Sequence, residues 1–126
     1  MLYEKRSTKS LEDIDGGFRV AAARHNFGVL GVHNLKEAME KKGVSFSHTC
    51  LVYEVCNPEQ AKKVLEANGA FSTVLPCRIS VYGSENDYKI ATVLPTALMT
   101  LFQSENLEPV AREVEDVVIK MIEETA

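Results

Sequence analysis

Val55-Cys56-Asn57-Pro58 and Val74-Leu75-Pro76-Cys77 each place a cysteine close to a proline, at a boundary between predicted elements. A thiol at such a junction is held by backbone geometry. At the first junction the helix predicted to begin at Asn57-Pro58 presents the positive end of its dipole, which favours a thiolate. The chemistry this allows is nucleophilic attack, thiol redox exchange or metal ligation. The plainer alternative is packing, because cysteine is among the most buried residue types. Cys77 opens a predicted strand and shares parity with Ile79 and Val81, which directs it toward the core. The candidate set is therefore Cys56 as the more reactive thiol, Asn57 as helix cap and local hydrogen-bonding group, and Cys77 as partner or pocket wall.

Other chemistry is thinly supported. If the strands carrying Cys56 and Cys77 are neighbours, the sulfurs converge near one sheet end, and a disulfide would close a loop of about 20 residues worth roughly 3 kcal/mol. The spacing is not the Cys-x-x-Cys of a dithiol redox motif. His48, Cys50 and Cys56 share strand parity, but Cys50 and Cys56 stand about 20 Å apart along an extended strand. They cannot bind one zinc ion without recruiting Cys77 or another distant ligand, and four-ligand spacing is absent. Glu54 shares the face of Cys50 and Cys56; it is a proton acceptor or, more simply, a solvent-facing sheet residue. His25 and His33 read as surface residues. Gly28-Val29-Leu30-Gly31 lies in a strand and lacks the helix start of a phosphate loop.

The elements that must position these groups follow from periodicity. Residues 2–7 read as a short first strand. Ser10 to Arg24 reads as a helix, with Leu11, Ile14, Phe18, Ala21 and Ala22 on one stripe. Gly16-Gly17 should bend it or delay its start, at a cost of about 1 kcal/mol per glycine, and should also permit close approach of a neighbouring backbone. Phe27–His33 is strand-like. Asn34 caps a helix over Leu35–Lys42, which Gly43 ends. Phe46–Cys56 is the next strand, with Leu51, Tyr53 and Val55 on one face. Asn57-Pro58-Glu59-Gln60 carries the clearest helix-start signal, with Gln60 placed to close a capping box. That helix stops near Asn68-Gly69. Leu75–Gly83 and Tyr88–Leu94 form an antiparallel hairpin, Pro95–Phe102 a short apolar helix. From about Pro109 a last helix carries Val110, Ala111, Val114, Val117, Val118, Met121 and Ile122 as a buried stripe. Hairpin-linked strands with amphipathic helices predict an α+β fold, a mostly antiparallel sheet covered on one face.

Composition bounds the function. The chain has 126 residues, 45% hydrophobic and 25% charged, enough for one domain over 1–126 with a single core. Fourteen basic against 18 acidic side chains give a net charge of −4, which opposes phosphate backbones, so no nucleic-acid partner is expected. Lys41-Lys42 and Lys62-Lys63 read as solvated helix faces. The N-terminus lacks the apolar stretch of a secretory signal. The longest uncharged span, Ile90–Ser104, is 15 residues and contains Pro95, too short for a membrane helix of about 20 residues. Three cysteines make no secreted disulfide framework, so a cytoplasmic location with reduced thiols is expected and no membrane association.

Phe27-Gly28-Val29-Leu30, Leu35–Gly43, Val55-Cys56-Asn57-Pro58 with Ala61, Leu75-Pro76-Cys77-Arg78-Ile79, and Pro95-Thr96 before a terminal acidic-apolar helix together resemble domain-of-unknown-function family 302. The resemblance covers nearly the whole chain. It implies an α+β fold similar to the TATA-box-binding-protein type, with a curved antiparallel sheet and helices on one side, in a bacterial or archaeal homodimer. It implies no reaction and names no cofactor, and the fold type alone does not imply DNA binding. The leading expectation is a small binding module with a thiol-bearing pocket near Cys56 and Cys77, occupied by a small molecule, a metal ion or a redox partner. The alternative is a homodimeric structural or interaction protein whose cysteines are core residues. A third reading is an enzyme with Cys56 as nucleophile, for which the sequence shows no general base.

Overall fold

The computed structural model describes residues 1–102 and 105–126. Strands β1 (Leu2–Ser7), β2 (Gly28–Asn34), β3 (Thr49–Cys56), β4 (Cys77–Ser84) and β5 (Asp87–Val93) form one open sheet in the order β1-β5-β4-β3-β2. Every neighbouring pair is antiparallel. The first two strands are thus the two edges. Helix α1 (Leu11–Arg24) connects them by crossing the sheet, which fixes the face that it covers.

The α+β expectation holds, and its physical basis is the stripe pattern. Ile14, Phe18, Ala21 and Ala22 of α1 are buried, as are Val118, Met121 and Ile122 of the last helix, α5 (Glu108–Thr125). They meet Leu51, Tyr53 and Val55 of β3, Ile79 and Val81 of β4, and Ile90 of β5 in one core cluster. Each fully buried large apolar side chain contributes about 1.5–3 kcal/mol relative to exposure. Alternation puts His33, Val52, Glu54, Arg78, Ser80, Tyr82 and Lys89 on the other face of the sheet.

Local signals decide the ends. Ser10 Oγ accepts from the Asp13 amide at 3.1 Å, and Glu12 and Asp13 occupy the first turn of α1. The helix begins at Leu11 and continues without interruption through Gly16-Gly17 rather than starting late, because its cap and its buried stripe outweigh the glycine penalty. A Cβ on Gly17 would meet only the Thr125 Cα at 4.0 Å, so close approach does not require glycine there. Helix α2 (Leu35–Glu40) ends two residues early, and Gly43 adopts φ +80°. Strand β3 begins at Thr49 rather than Phe46, because its first partner is Gly83 and β4 ends one residue later at Ser84. The β4–β5 turn is only Glu85-Asn86, with Asn86 at φ +58°. Gly83, at φ +134°, could not accept a Cβ, which would lie 2.4 Å from the Asp87 carbonyl oxygen.

Helix α3 (Pro58–Ala67) is followed by a 3-10 helix, Gly69–Thr73, that sequence periodicity does not reveal. Asn68 caps it by accepting from the Ala70 amide at 2.9 Å, and Phe71 is buried. The peptide bond Leu75–Pro76 is cis. Helix α4 (Pro95–Met99) is shorter than the apolar segment suggested. Gln103 and Ser104, the end of the uncharged span, lie outside the described residues. No helix among the described residues is long and apolar enough to cross a membrane.

One polar pair ties α1 to the sheet. Tyr53 is fully buried, its ring centroid 4.8 Å from that of Phe18, and its hydroxyl donates to Asp15 Oδ1 at 2.7 Å. Burial and the Asp15 carboxylate push the phenol well above its ordinary 10.0. Burial opposes ionisation of Asp15, but hydrogen bonds from Tyr53 and Arg19 and the Arg19 charge outweigh it and hold the carboxyl below 3.8. The lowered carboxyl contributes stability that is present above about pH 4 and is lost as pH falls through its folded value. The raised phenol keeps its proton when folded, so stability falls as pH rises past 10, where the unfolded tyrosine ionises. Tyr53→Phe is expected to cost about 1–2 kcal/mol at pH 7. It should also flatten both limbs of the stability–pH curve, measured by urea unfolding from pH 3 to 11; unchanged limbs would show that the pair is not what titrates.

Candidate thiol-lined cavity

Three strand ends meet at one end of the sheet: Val55-Cys56 closing β3, Cys77-Arg78 opening β4 and Thr92-Val93 closing β5. Over them lie α3, the Gly69–Thr73 turn, the cis-proline loop, α4 and the first half of α5. These elements line a half-open cavity of about 250 Å³. Ala61, Val64, Phe71, Leu75, Leu98, Met99 and Val114 supply most of its apolar wall, and Cys56, Asn57 and Cys77 line it as well. The helix stripe of α5 therefore serves two ends, its C-terminal half the core and its N-terminal half the cavity.

The three residues singled out from sequence are thus brought together. Val55 pairs directly with Cys77 across β3 and β4, so Cys56 lies one residue beyond that partner. Both thiols, and that of Cys50, are free. Cys77 packs against the core cluster. Burial, and then the neighbouring Cys56, push its thiol from 9.0 up to about 11. Asn57 caps α3 as expected: its Oδ1 accepts from the Glu59 and Gln60 amides at 3.1 and 3.3 Å. Cys50 lies towards the far end of β3, paired with Tyr82.

The other candidates fall outside the cavity. His33 Nε2 lies 2.5 Å from Glu54 Oε1, and the Arg78 guanidinium is 3.7 Å from the other carboxylate oxygen. Glu54 is therefore engaged in a surface cluster rather than held free as a base. His25 Nε2 sits 2.8 Å from Glu124 at the end of α1. Among the described residues no three His, Cys, Asp or Glu side chains converge as metal ligands.

Gln60 was expected to close a capping box with Asn57. Its side chain turns away instead, and Nε2 donates to Glu113 Oε1 at 3.0 Å, tying α3 to α5. Gln60 lines the cavity, and its Oε1 is buried with no hydrogen-bond partner among the described residues. The other polar wall groups are satisfied locally: the Thr92 hydroxyl donates to the Arg78 carbonyl at 2.8 Å and that of Thr73 to the Ala70 carbonyl at 2.8 Å. No sequence signal marks Gln60 as a site residue, because its spacing already has a sufficient explanation as a cap.

The profile of the domain of unknown function DUF302 matches residues 3–125. The chain belongs to the DUF302 family. A crystal structure of an uncharacterized conserved DUF302 protein from Bacillus stearothermophilus superposes with a TM-score of 0.93 at 26% identity, covering 99% of this chain and 98% of that one. None of the curated proteins matches. The DUF302 assignment confirms the resemblance carried by the Cys-Asn-Pro and Leu-Pro-Cys blocks, and these two blocks line the cavity side by side.

Proposed function

We propose that this DUF302 protein is a small-molecule-binding module whose site is the thiol-lined cavity at the sheet end. The observation that carries this reading is a half-open cavity of about 250 Å³ lined by apolar side chains, with Cys56, Asn57 and Cys77 in the wall. An apolar cavity of about 150 Å³ already admits benzene, so this one has room for a bicyclic aromatic or a branched aliphatic body. Both cysteines are half-buried, and burial makes the Cys77 thiol harder to ionise than an ordinary thiol. Three unbridged cysteines suit a reducing compartment, and we read the protein as cytoplasmic.

Alkylation with iodoacetamide, located by mass spectrometry, tests the site. At pH 8 the thiolate fraction of Cys77 is about a hundredfold below that of an unperturbed thiol, partly offset by the greater nucleophilicity of a more basic thiolate. Cys77 should therefore react at least about tenfold more slowly in the native protein than in urea, with a rate still rising toward pH 11. Cys56 should react faster than Cys77, and saturating naphthalene should slow Cys56. Equal native rates for the two thiols, or no protection by naphthalene, would sink the proposal.

The competing reading is a homodimeric interaction protein, favoured by one observation: edge strand β2 exposes Leu30 and Val32. An unpaired strand edge with apolar side chains is a surface on which a second copy can add. That reading predicts a dimer in sedimentation analysis and thiols that resist labelling until unfolding.

A further inference from the structure

We infer that α4 is the gate of the cavity: it opens by local unfolding, Glu115 of α5 latches it shut, and an occupant holds it there. The inference rests on the reading of the cavity as a small-molecule site and adds how that site is regulated. Helix α4 has five residues, and a helix so short has almost no stability of its own in water. Leu94 stands at its cap position and offers no side-chain acceptor, and none of the helix side chains is fully buried. Leu98 and Met99 nevertheless line the cavity. What holds the segment in place comes from elsewhere in the chain. At its start the Leu94 amide donates to the Met1 carbonyl at 2.8 Å. The missing cap is supplied by α5: the Thr96 amide and hydroxyl both donate to Glu115 Oε1, at 3.1 and 2.6 Å. Just beyond the helix the Phe102 ring lies 4.2 Å from that of Phe71, centroid to centroid, and Phe71 also lines the cavity. The segment is tied at both ends and only half-buried between them, the condition under which one piece of a structure opens ahead of the whole. An occupant packed on Leu98 and Met99 loses those contacts when α4 opens, so it binds the closed form better and shifts the equilibrium toward it.

Hydrogen exchange read by NMR at the Ala97 and Leu98 amides, which both donate to the Leu94 carbonyl, tests the gate. In the wild-type protein they should exchange at least about a hundredfold faster than the amides of Ile79 and Ile90 in the core strands. Glu115→Ala should raise the α4 rates about fivefold or more, the net worth of one hydrogen bond. Glu115→Gln, which keeps an acceptor at the same reach, should restore most of the protection. Naphthalene at ten times its dissociation constant should slow both amides about tenfold, since it binds the closed form. Three results overturn the inference and leave the cavity reading intact: α4 amides no faster than Ile79 and Ile90, α4 rates unmoved by Glu115→Ala, or α4 rates unmoved by naphthalene that does protect Cys56 from iodoacetamide. If naphthalene does not protect Cys56 at all, the cavity reading fails, and this inference falls with it. Thr96→Val, which removes the hydroxyl donor, provides the same comparison should Glu115→Ala not fold, as judged by circular dichroism.

Discussion

Phe18→Ala is expected to lower stability by about 3–5 kcal/mol, the usual cost of emptying a phenylalanine site in a packed core. Phe18 is fully buried on the α1 face that crosses the whole sheet, and its ring lies 4.8 Å from that of Tyr53 at an interplanar angle of 51°. The substitution removes the aromatic pair and leaves a void in the core cluster that Phe18 shares with Ile14, Tyr53 and Met121. A domain of this size has about 5–15 kcal/mol in total, so the loss is a large fraction of it. With a urea slope of about 2 kcal/mol/M, the unfolding midpoint should move down by about 2 M. Phe18→Met, which retains much of the volume, should cost less than half as much. A shift below about 0.5 M for Phe18→Ala would show that α1 is not seated on the sheet as described.

The parts of this structure that were legible in the sequence are those governed by period and by chain punctuation. Tyr53 and Val55 alternate with exposed-face residues, Ile14 and Phe18 recur at helical spacing, and Asn57-Pro58 starts a helix where its residue types require. These are local rules, and the core obeys them. The illegible parts depend on partners distant in sequence. Strand β3 starts at Thr49 because β4 runs out near Gly83, a fact about pairing that no window around Phe46 contains. The Gly69–Thr73 turn is held by one Asn68 side chain and one buried phenylalanine, too little for periodicity to register. Proximity of Cys56 and Cys77 was legible only as a condition, that their strands be neighbours; the β3–β4 register supplies it. Gln60 shows the limit most sharply, because the local capping rule that accounts for its residue type is not the interaction that it makes.

Ala61→Phe should abolish binding of naphthalene-sized ligands, by tenfold or more in affinity, while leaving the protein folded. Ala61 stands on α3 one position after Gln60 and lines the cavity from the side opposite the strand ends. A phenyl group there projects into the space of about 250 Å³ that a ligand would occupy. Filling a void with an apolar group is among the substitutions that commonly raise stability, by about 0.5–2 kcal/mol, so loss of binding and loss of fold move in opposite directions. That opposition makes the variant decisive, since a merely damaged protein would unfold earlier in urea. Val64→Phe, one turn further along the same helix, repeats the test if the first variant is overpacked. Both variants should also slow alkylation of Cys56, because the added ring covers the wall that it shares with Cys77. Undiminished affinity in a folded Ala61→Phe protein would place the ligand elsewhere. The thiol pair would then be packing residues, and the exposed β2 edge would become the surface to pursue.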